Sequence, residues 1–116
     1  FEFVCKKPQW VPEGYTLERE AYYEDIGECV QCYMGNRGKS LWYHQMCNDT
    51  VSNFGISSNG SEQQEVMIED VKGYFIPDDA LNEERGNLVW EDGKYLYLIA
   101  GGLTKEELIR MAETIK

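Results

Sequence analysis

The C-terminal stretch from Asn87 to Lys116 constrains the fold more than any other part of the chain. Asp92-Gly93 lies between two apolar runs, and both residues tolerate the positive φ that a type I′ hairpin turn requires. A two-residue loop at this point would pair Trp90 with Tyr95. The pattern predicts a β-hairpin whose strands flank Asp92-Gly93.

Both faces of this predicted hairpin are apolar, which is unusual for a strand pair with one side in water. Strands that are apolar on both faces are typical of the interior of a sheet that is covered on both sides, or nearly so. One face carries Leu88, Trp90, Tyr95, Tyr97 and Ile99, and the other carries Val89, Leu96 and Leu98.

A helix is predicted after the hairpin, with Gly101-Gly102 expected to end the second strand. Thr104 and Glu107 have the spacing of a capping box, in which each side chain bonds the backbone N–H of the other. Leu108, Met111, Ala112 and Ile115 then recur at helical spacing. Such a short helix is marginal alone in water, so we expect it to dock on the sheet face that bears Trp90 and Tyr97.

The rest of the chain reads mainly as strands. Tyr15–Glu24 alternates as a half-buried strand, and Glu28–Met34 with Lys39–Cys47 forms a second hairpin. Glu65–Glu69 and Val71–Ile76 are two more strands, and Pro77–Asn87 is interpreted as a polar connection. Strands first and one clear helix last predict a single α+β domain over residues 1–116: an antiparallel sheet of about six strands with one C-terminal α-helix packed on a face.

Four cysteines, Cys5, Cys29, Cys32 and Cys47, give two alternative interpretations. In an exported domain they indicate up to two disulfides, and in a cytosolic one they indicate metal binding or free thiols. The second hairpin leaves the pairing open. A two-residue loop places Cys29 opposite His44, whereas a three-residue loop places it opposite Gln45 with Cys47 on the same face.

Catalytic signatures are absent from the sequence, so we expect no enzyme and no cofactor. Cys29 and Cys32 form a CxxC pair, but it lies in a strand-like run rather than at the start of a helix, where thiol oxidoreductases place it. A zinc site built from Cys5, Cys29, Cys32 and Cys47, or with His44 as a ligand, is the alternative, although a second closely spaced ligand pair is missing.

The charge is −10, with 21 acidic and 11 basic residues. This balance argues against nucleic acid or an anionic membrane surface as a partner. No apolar run is long enough to span a bilayer, and a chain that begins at Phe1 is expected to be a domain cut from a longer protein. The aromatic side chains of Tyr22, Tyr33 and Trp42 are candidates for an exposed surface that binds a protein, peptide or glycan.

Several segments together resemble one bacterial family of domains of unknown function, DUF4367. Trp10–Leu17, with its Pro-Glu-Gly-Tyr core, is similar to the opening signature of the family. Val66–Phe75 resembles its middle hairpin, although Asp70 stands where glycine is usual. Leu88–Gly93 and Leu103–Ile115 resemble its closing tryptophan hairpin and helix.

The resemblance implies a location and a class of function. Domains of this family commonly lie outside the cytoplasm, at the C-terminal end of single-pass or lipid-anchored proteins of Gram-positive bacteria, some of which look like anti-sigma factors. No catalytic residue is established for them. We therefore expect a non-enzymatic extracytoplasmic module that senses or binds a partner, reaching the membrane only through an anchor, with a cysteine-based metal or thiol domain as the alternative.

Overall fold

A computed structural model describes residues 5–23, 25–35, 38–47, 64–78 and 82–115. These residues form seven strands and one helix. The elements are β1 (Thr16–Tyr23), β2 (Glu28–Met34), β3 (Ser40–Cys47), β4 (Gln64–Ile68), β5 (Val71–Asp78), β6 (Asn82–Glu91), β7 (Tyr95–Thr104) and α1 (Lys105–Glu113).

All seven strands belong to one antiparallel sheet in the order β1-β2-β3-β7-β6-β5-β4. The α+β prediction is confirmed. The sheet has seven strands, slightly more than the predicted number of about six, and they are the three hairpins β2–β3, β4–β5 and β6–β7 together with the edge strand β1. The predicted interior position of the C-terminal hairpin is also confirmed, since β7 pairs with both β3 and β6.

The register of the β6–β7 hairpin differs from the predicted one. Trp90 lies opposite Tyr97, not Tyr95. The Asp92 side chain is the cause: its Oδ1 accepts from the backbone N–H groups of Lys94 at 3.0 Å and Tyr95 at 2.9 Å, which moves the loop to Gly93-Lys94. Because the shift is two residues, every side chain stays on its predicted face.

Two strand boundaries were predicted wrongly, and each lies near a register shift, one between β5 and β6 and one between β6 and β7. Strand β7 continues through Gly101-Gly102, and β6 begins at Asn82, inside the predicted polar connection. Gly86 lies opposite Leu103 and the next residue, Asn87, lies opposite Ala100, so Gly101 and Gly102 are extra residues on β7. Gly102 has a positive φ of 66°. A Cβ atom at Gly86 would overlap the Ile76 carbonyl on β5, so the β5–β6 pairing requires glycine at this position.

The C-terminal helix starts and docks as predicted. Thr104 Oγ1 accepts from Glu107 N–H at 3.2 Å, and Thr104 N–H donates to Glu107 Oε1 at 3.0 Å, which completes the capping box. Leu108 and Met111 are fully buried in one cluster with Trp90 and Tyr97. The helix therefore covers the sheet face that the hairpin pattern predicted.

The β2–β3 hairpin adopts the three-residue register. Cys29 lies opposite Gln45, and Gly35 N–H donates to the Lys39 carbonyl at 2.8 Å. Edge strand β1 is exposed rather than half-buried, and a register shift between Leu17 and Arg19 breaks its alternation. In the described ranges, no helix is long and apolar enough to cross a membrane.

Candidate functional site

One disulfide joins Cys5 to Cys29, with their Cα atoms 6.2 Å apart. Cys32 and Cys47 are buried free thiols. The sequence predicted up to two disulfides among these four residues and left the pairing open, and the three-residue register allowed Cys47 as a partner for Cys29. Cys29 is instead bonded to the N-terminal segment.

The structure does not bring the four cysteines together as one set of metal ligands. Cys29 and Cys32 are three residues apart on β2, so their side chains point to opposite faces of the sheet. Cys32 lies opposite Trp42 on the face away from the helix, and His44, on that same face, approaches Glu28 at 3.6 Å. Within the described residues, no group of three or more metal-ligating side chains converges.

The three aromatic residues predicted as a binding surface are also separated. Tyr33 is buried in the core, where its hydroxyl donates to Gln31 Oε1 at 2.6 Å. Tyr22 is 46% exposed on the helix side of edge strand β1, opposite Cys29. Trp42 is half-buried on the other face. The register of this hairpin was left open by one residue, and in the observed register Trp42 lies opposite Cys32, so Tyr33 and Trp42 lie on different faces.

The segment Cys5–Trp10, here called the N-terminal strap, crosses the helix side of the sheet. Its contacts with the sheet combine a covalent bond, a hydrogen bond and ion pairs. They are Cys5–Cys29, the Lys6 N–H donating to Gln45 Oε1 at 2.6 Å, Lys7 with Glu20 at 2.9 Å, and Lys6 with Asp92 at 3.7 Å.

The strap also holds the end of the helix. Thr114 Oγ1 accepts from the N–H groups of Gln9 at 2.9 Å and Trp10 at 3.3 Å, and its hydroxyl donates to the Met111 carbonyl at 2.7 Å. The Arg110 guanidinium lies 4.3 Å from the Trp10 ring centre. Strap and helix thus cover the sheet together, and the chain leaves the strap toward the turn at Pro12–Tyr15.

A cleft of about 390 Å³ opens where that turn meets the start of the helix. We call it the helix-start cleft. Its walls come from the turn after the strap, the β2–β3 loop, the start of β6 and the first residues around α1. The lining residues are Pro12, Glu13, Gly14, Tyr15, Lys39, Arg85, Leu103 and Glu107.

Charges of both signs line the helix-start cleft. Glu107 is fixed by the capping box, and Arg85 Nη1 donates to the Gly102 carbonyl at 3.3 Å. The pKa of Tyr15 is raised, first by its partial burial and then by the Glu107 carboxylate, while Arg85 opposes the rise. The Tyr15 hydroxyl is therefore neutral at physiological pH and lies within electrostatic range of both charges.

A smaller cleft of about 110 Å³ lies at the other end of the helix, between the strap and Trp90. Lys6 and Asp92, which pair at 3.7 Å, both line it. The Lys6 ammonium in this cleft is already paired with the Asp92 carboxylate. The helix-start cleft is therefore the better candidate for binding a ligand.

The family comparison supports the resemblance seen in the sequence. The model of the family described as "Domain of unknown function (DUF4367)" matches residues 5–115. The chain belongs to the DUF4367 family. No curated protein and no solved structure matches it.

Two of the segments that carry the DUF4367 resemblance meet at the helix-start cleft. Pro12–Tyr15 comes from the opening signature, and Leu103 and Glu107 come from the closing segment. Sequence analysis recognised both segments but predicted no site between them. The remaining wall residues, Lys39 and Arg85, lie in stretches interpreted as a hairpin strand and a polar connection, and no local pattern marks them as neighbours.

The two buried glutamines were also missed. Gln31 and Gln45 are fully buried on the helix side of β2 and β3. Gln31 Nε2 donates to Glu20 Oε2 at 3.3 Å, and Gln45 Oε1 accepts from the strap. The alternation of the second hairpin could have indicated their burial, because in the three-residue register both residues lie on the same face as the buried Cys29.

Proposed function

We propose that this DUF4367 domain is a non-enzymatic extracytoplasmic module that senses or binds a partner, and that it belongs to a membrane-anchored bacterial protein of the anti-sigma-factor-like kind. The Cys5–Cys29 disulfide is the observation that carries the proposal. Disulfides form and persist in oxidising compartments and are rare in the cytosol. The bond fixes the strap to the sheet, so it serves the fold rather than a reaction.

The helix-start cleft supports binding rather than catalysis. Its lining includes carboxylates, an ammonium, a guanidinium and a phenol, which are groups that orient a ligand. A nucleophile activated by a neighbouring base is the usual arrangement for covalent catalysis, and the lining residues include no Ser, Cys or His. With a net charge of −10, a protein, peptide or glycan is a better partner than nucleic acid.

Protease accessibility in the native bacterium tests the location. Protoplasts that produce the full-length protein, with an epitope tag after Lys116, are treated with proteinase K. We expect loss of the tagged domain while a cytosolic marker protein stays intact. Protection of the domain until the membrane is lysed would overturn the proposal.

Metal analysis tests the cysteine-based alternative on the purified domain. We expect less than stoichiometric zinc after refolding with zinc under reducing conditions, because Cys29 and Cys32 point to opposite faces of β2. One tightly held zinc per chain, lost on Cys32→Ser, would favour the metal-binding alternative instead.

A further inference from the structure

We propose that the helix-start cleft binds a small zwitterion, an amino acid or a short peptide, with the ligand carboxylate at Lys39 and Arg85 and the ligand ammonium at Glu13 and Glu107. The inference rests on the proposed sensory role and names the ligand class that the cleft would take. Its basis is the set of charged side chains that line the cleft and have no ion-pair partner among the described residues.

Most basic side chains in the described ranges have an acidic or aromatic partner. Lys6, Lys7 and Lys72 form ion pairs with carboxylates. Lys94, Lys105 and Arg110 lie over aromatic rings. In a chain with 21 acidic and 11 basic residues, such pairing is expected, because carboxylates are abundant around every cation.

Arg19, Lys39 and Arg85 are the exceptions among the described residues, and the last two line the same cleft. Neither has an ion-pair or ring partner among the described residues, and the recorded side-chain hydrogen bond of Arg85 goes to the Gly102 carbonyl. That bond positions the guanidinium without neutralising it. Lys39 and Arg85 line one cleft, so together they can take an anionic group, and guanidinium matches carboxylate geometry well.

The lining of the cleft also supplies negative charge. The Glu13 carboxylate is exposed and has no ion-pair partner in the ranges that the structure describes. The Glu107 carboxylate is held by Thr104, whose N–H and hydroxyl approach Oε1 at 3.0 and 3.1 Å. A carboxylate fixed in this way accepts an ammonium group without first losing side-chain entropy.

Size and shape agree with a ligand of a few residues. A volume of about 390 Å³ lies in the range of small-molecule sites. Leu103 is buried beneath the cleft, and the half-buried Tyr15 ring packs so closely on Gly35 that a Cβ atom there would lie 2.8 Å from it. The base is therefore rigid, with charged groups of both signs around it.

NMR titration of the purified, 15N-labelled domain tests the proposal with triglycine, which carries both charged ends and no side chain. N-acetyl-triglycine lacks the ammonium, and triglycinamide lacks the carboxylate. We expect saturable shifts at the amides of Glu13, Gly14 and Tyr15 with triglycine. Removal of either charged end should weaken binding by roughly twofold to fivefold, the size expected for a partly exposed charge pair.

Matched variants show which side chains bind the carboxylate and which bind the ammonium of the ligand. Arg85→Gln and Lys39→Gln should each weaken triglycine binding but leave triglycinamide binding unchanged, whereas Arg19→Gln, an exposed cation on β1, should alter neither. Glu13→Gln should weaken triglycine but not N-acetyl-triglycine binding, with Glu18→Gln as its control. If Arg85→Gln unfolds because it loses the hydrogen bond to the Gly102 carbonyl, Lys39→Gln still tests the carboxylate site.

Two results would overturn the zwitterion site. One is a set of shifts that is spread over the surface and does not saturate with triglycine. The other is an equal effect of Arg85→Gln, Lys39→Gln and Arg19→Gln. Either outcome would leave the protease result in protoplasts unchanged, and a cytoplasmic location would leave the titration unchanged, so the two proposals fail separately.

Discussion

At the scale of single residues, Asp92 decides the register of the C-terminal hairpin. Partial burial alone would raise the pKa of its carboxyl group. Hydrogen bonds from Tyr95 N–H, the Tyr97 hydroxyl and Lys94 N–H, with the nearby Lys6 ammonium, outweigh that effect and hold the pKa below its usual range. The charged form of Asp92 therefore stabilises the folded state.

Asp92→Asn tests this stabilisation because it removes the charge and keeps an oxygen acceptor. A folded-state pKa below the unfolded value adds stability above about pH 4, and that stability is lost as the pH falls through the folded pKa. We expect the variant to lose about 1 kcal/mol of unfolding free energy at pH 7, a small value because Asp92 is partly solvated. The difference from the wild type should vanish near pH 2, as measured by urea denaturation.

Asp70→Asn is the matched control, since Asp70 is an exposed carboxylate in the β4–β5 turn. Its unfolding free energy at pH 7 should stay within about 0.5 kcal/mol of the wild type. An Asp92→Asn variant as stable as Asp70→Asn, with the same pH profile, would show that the Asp92 carboxylate does not fix the loop.

At the scale of elements, the helix depends on docking because nine residues are too few for a stable helix in water. Met111 is fully buried against the sheet. Met111→Ala should therefore cost about 2–5 kcal/mol of unfolding free energy. Glu106→Ala, an exposed change in the same helix, should cost less than about 0.5 kcal/mol. Similar losses in the two variants on urea denaturation would contradict the docked helix.

The Thr114 hydroxyl accepts two backbone hydrogen bonds that join the strap to the helix. Thr114→Ala removes the acceptor of the Gln9 and Trp10 N–H groups, while Thr114→Ser keeps it. A lost hydrogen bond of about 1 kcal/mol should speed amide hydrogen exchange at Gln9 and Trp10 roughly fivefold in Thr114→Ala only. Unchanged exchange in that variant would mean that the strap is held without Thr114.

Local patterns predicted the elements better than their pairings. The capping box at Thr104 and the two apolar faces of the C-terminal hairpin depend on neighbours in sequence, and both were confirmed. The Trp90–Tyr97 register was missed because the Asp92 side chain can replace a backbone turn bond, which periodicity does not show. The helix-start cleft was missed because Lys39 and Arg85 are far apart in sequence and line the same cleft only once β3, β7 and β6 have paired.

At the scale of the whole molecule, the disulfide ties the strap to β2 across 24 residues of sequence. Cross-links that close loops of this length typically stabilise a small domain by about 2–4 kcal/mol. The Cys5→Ser/Cys29→Ser variant should lose that amount of unfolding free energy. The oxidised wild type should fall to a similar value when dithiothreitol is added, while the variant should not respond to the reductant.

Dithiothreitol would have no effect on the urea midpoint of the wild type if the disulfide were absent. An equal loss in the variant and the wild type on adding reductant would instead point to Cys32 or Cys47. The first outcome would remove the physical basis for an oxidising compartment, and the second would contradict the Cys5–Cys29 pairing.

Peptide mapping of the non-reduced protein, purified from its native location after alkylation of free thiols, is the most direct test of the central claim that a disulfide-held strap closes this fold. We expect Cys5 linked to Cys29, with alkyl groups on Cys32 and Cys47 once the chain is denatured. Four alkylated cysteines, or a bond from Cys29 to either Cys32 or Cys47, would contradict the account.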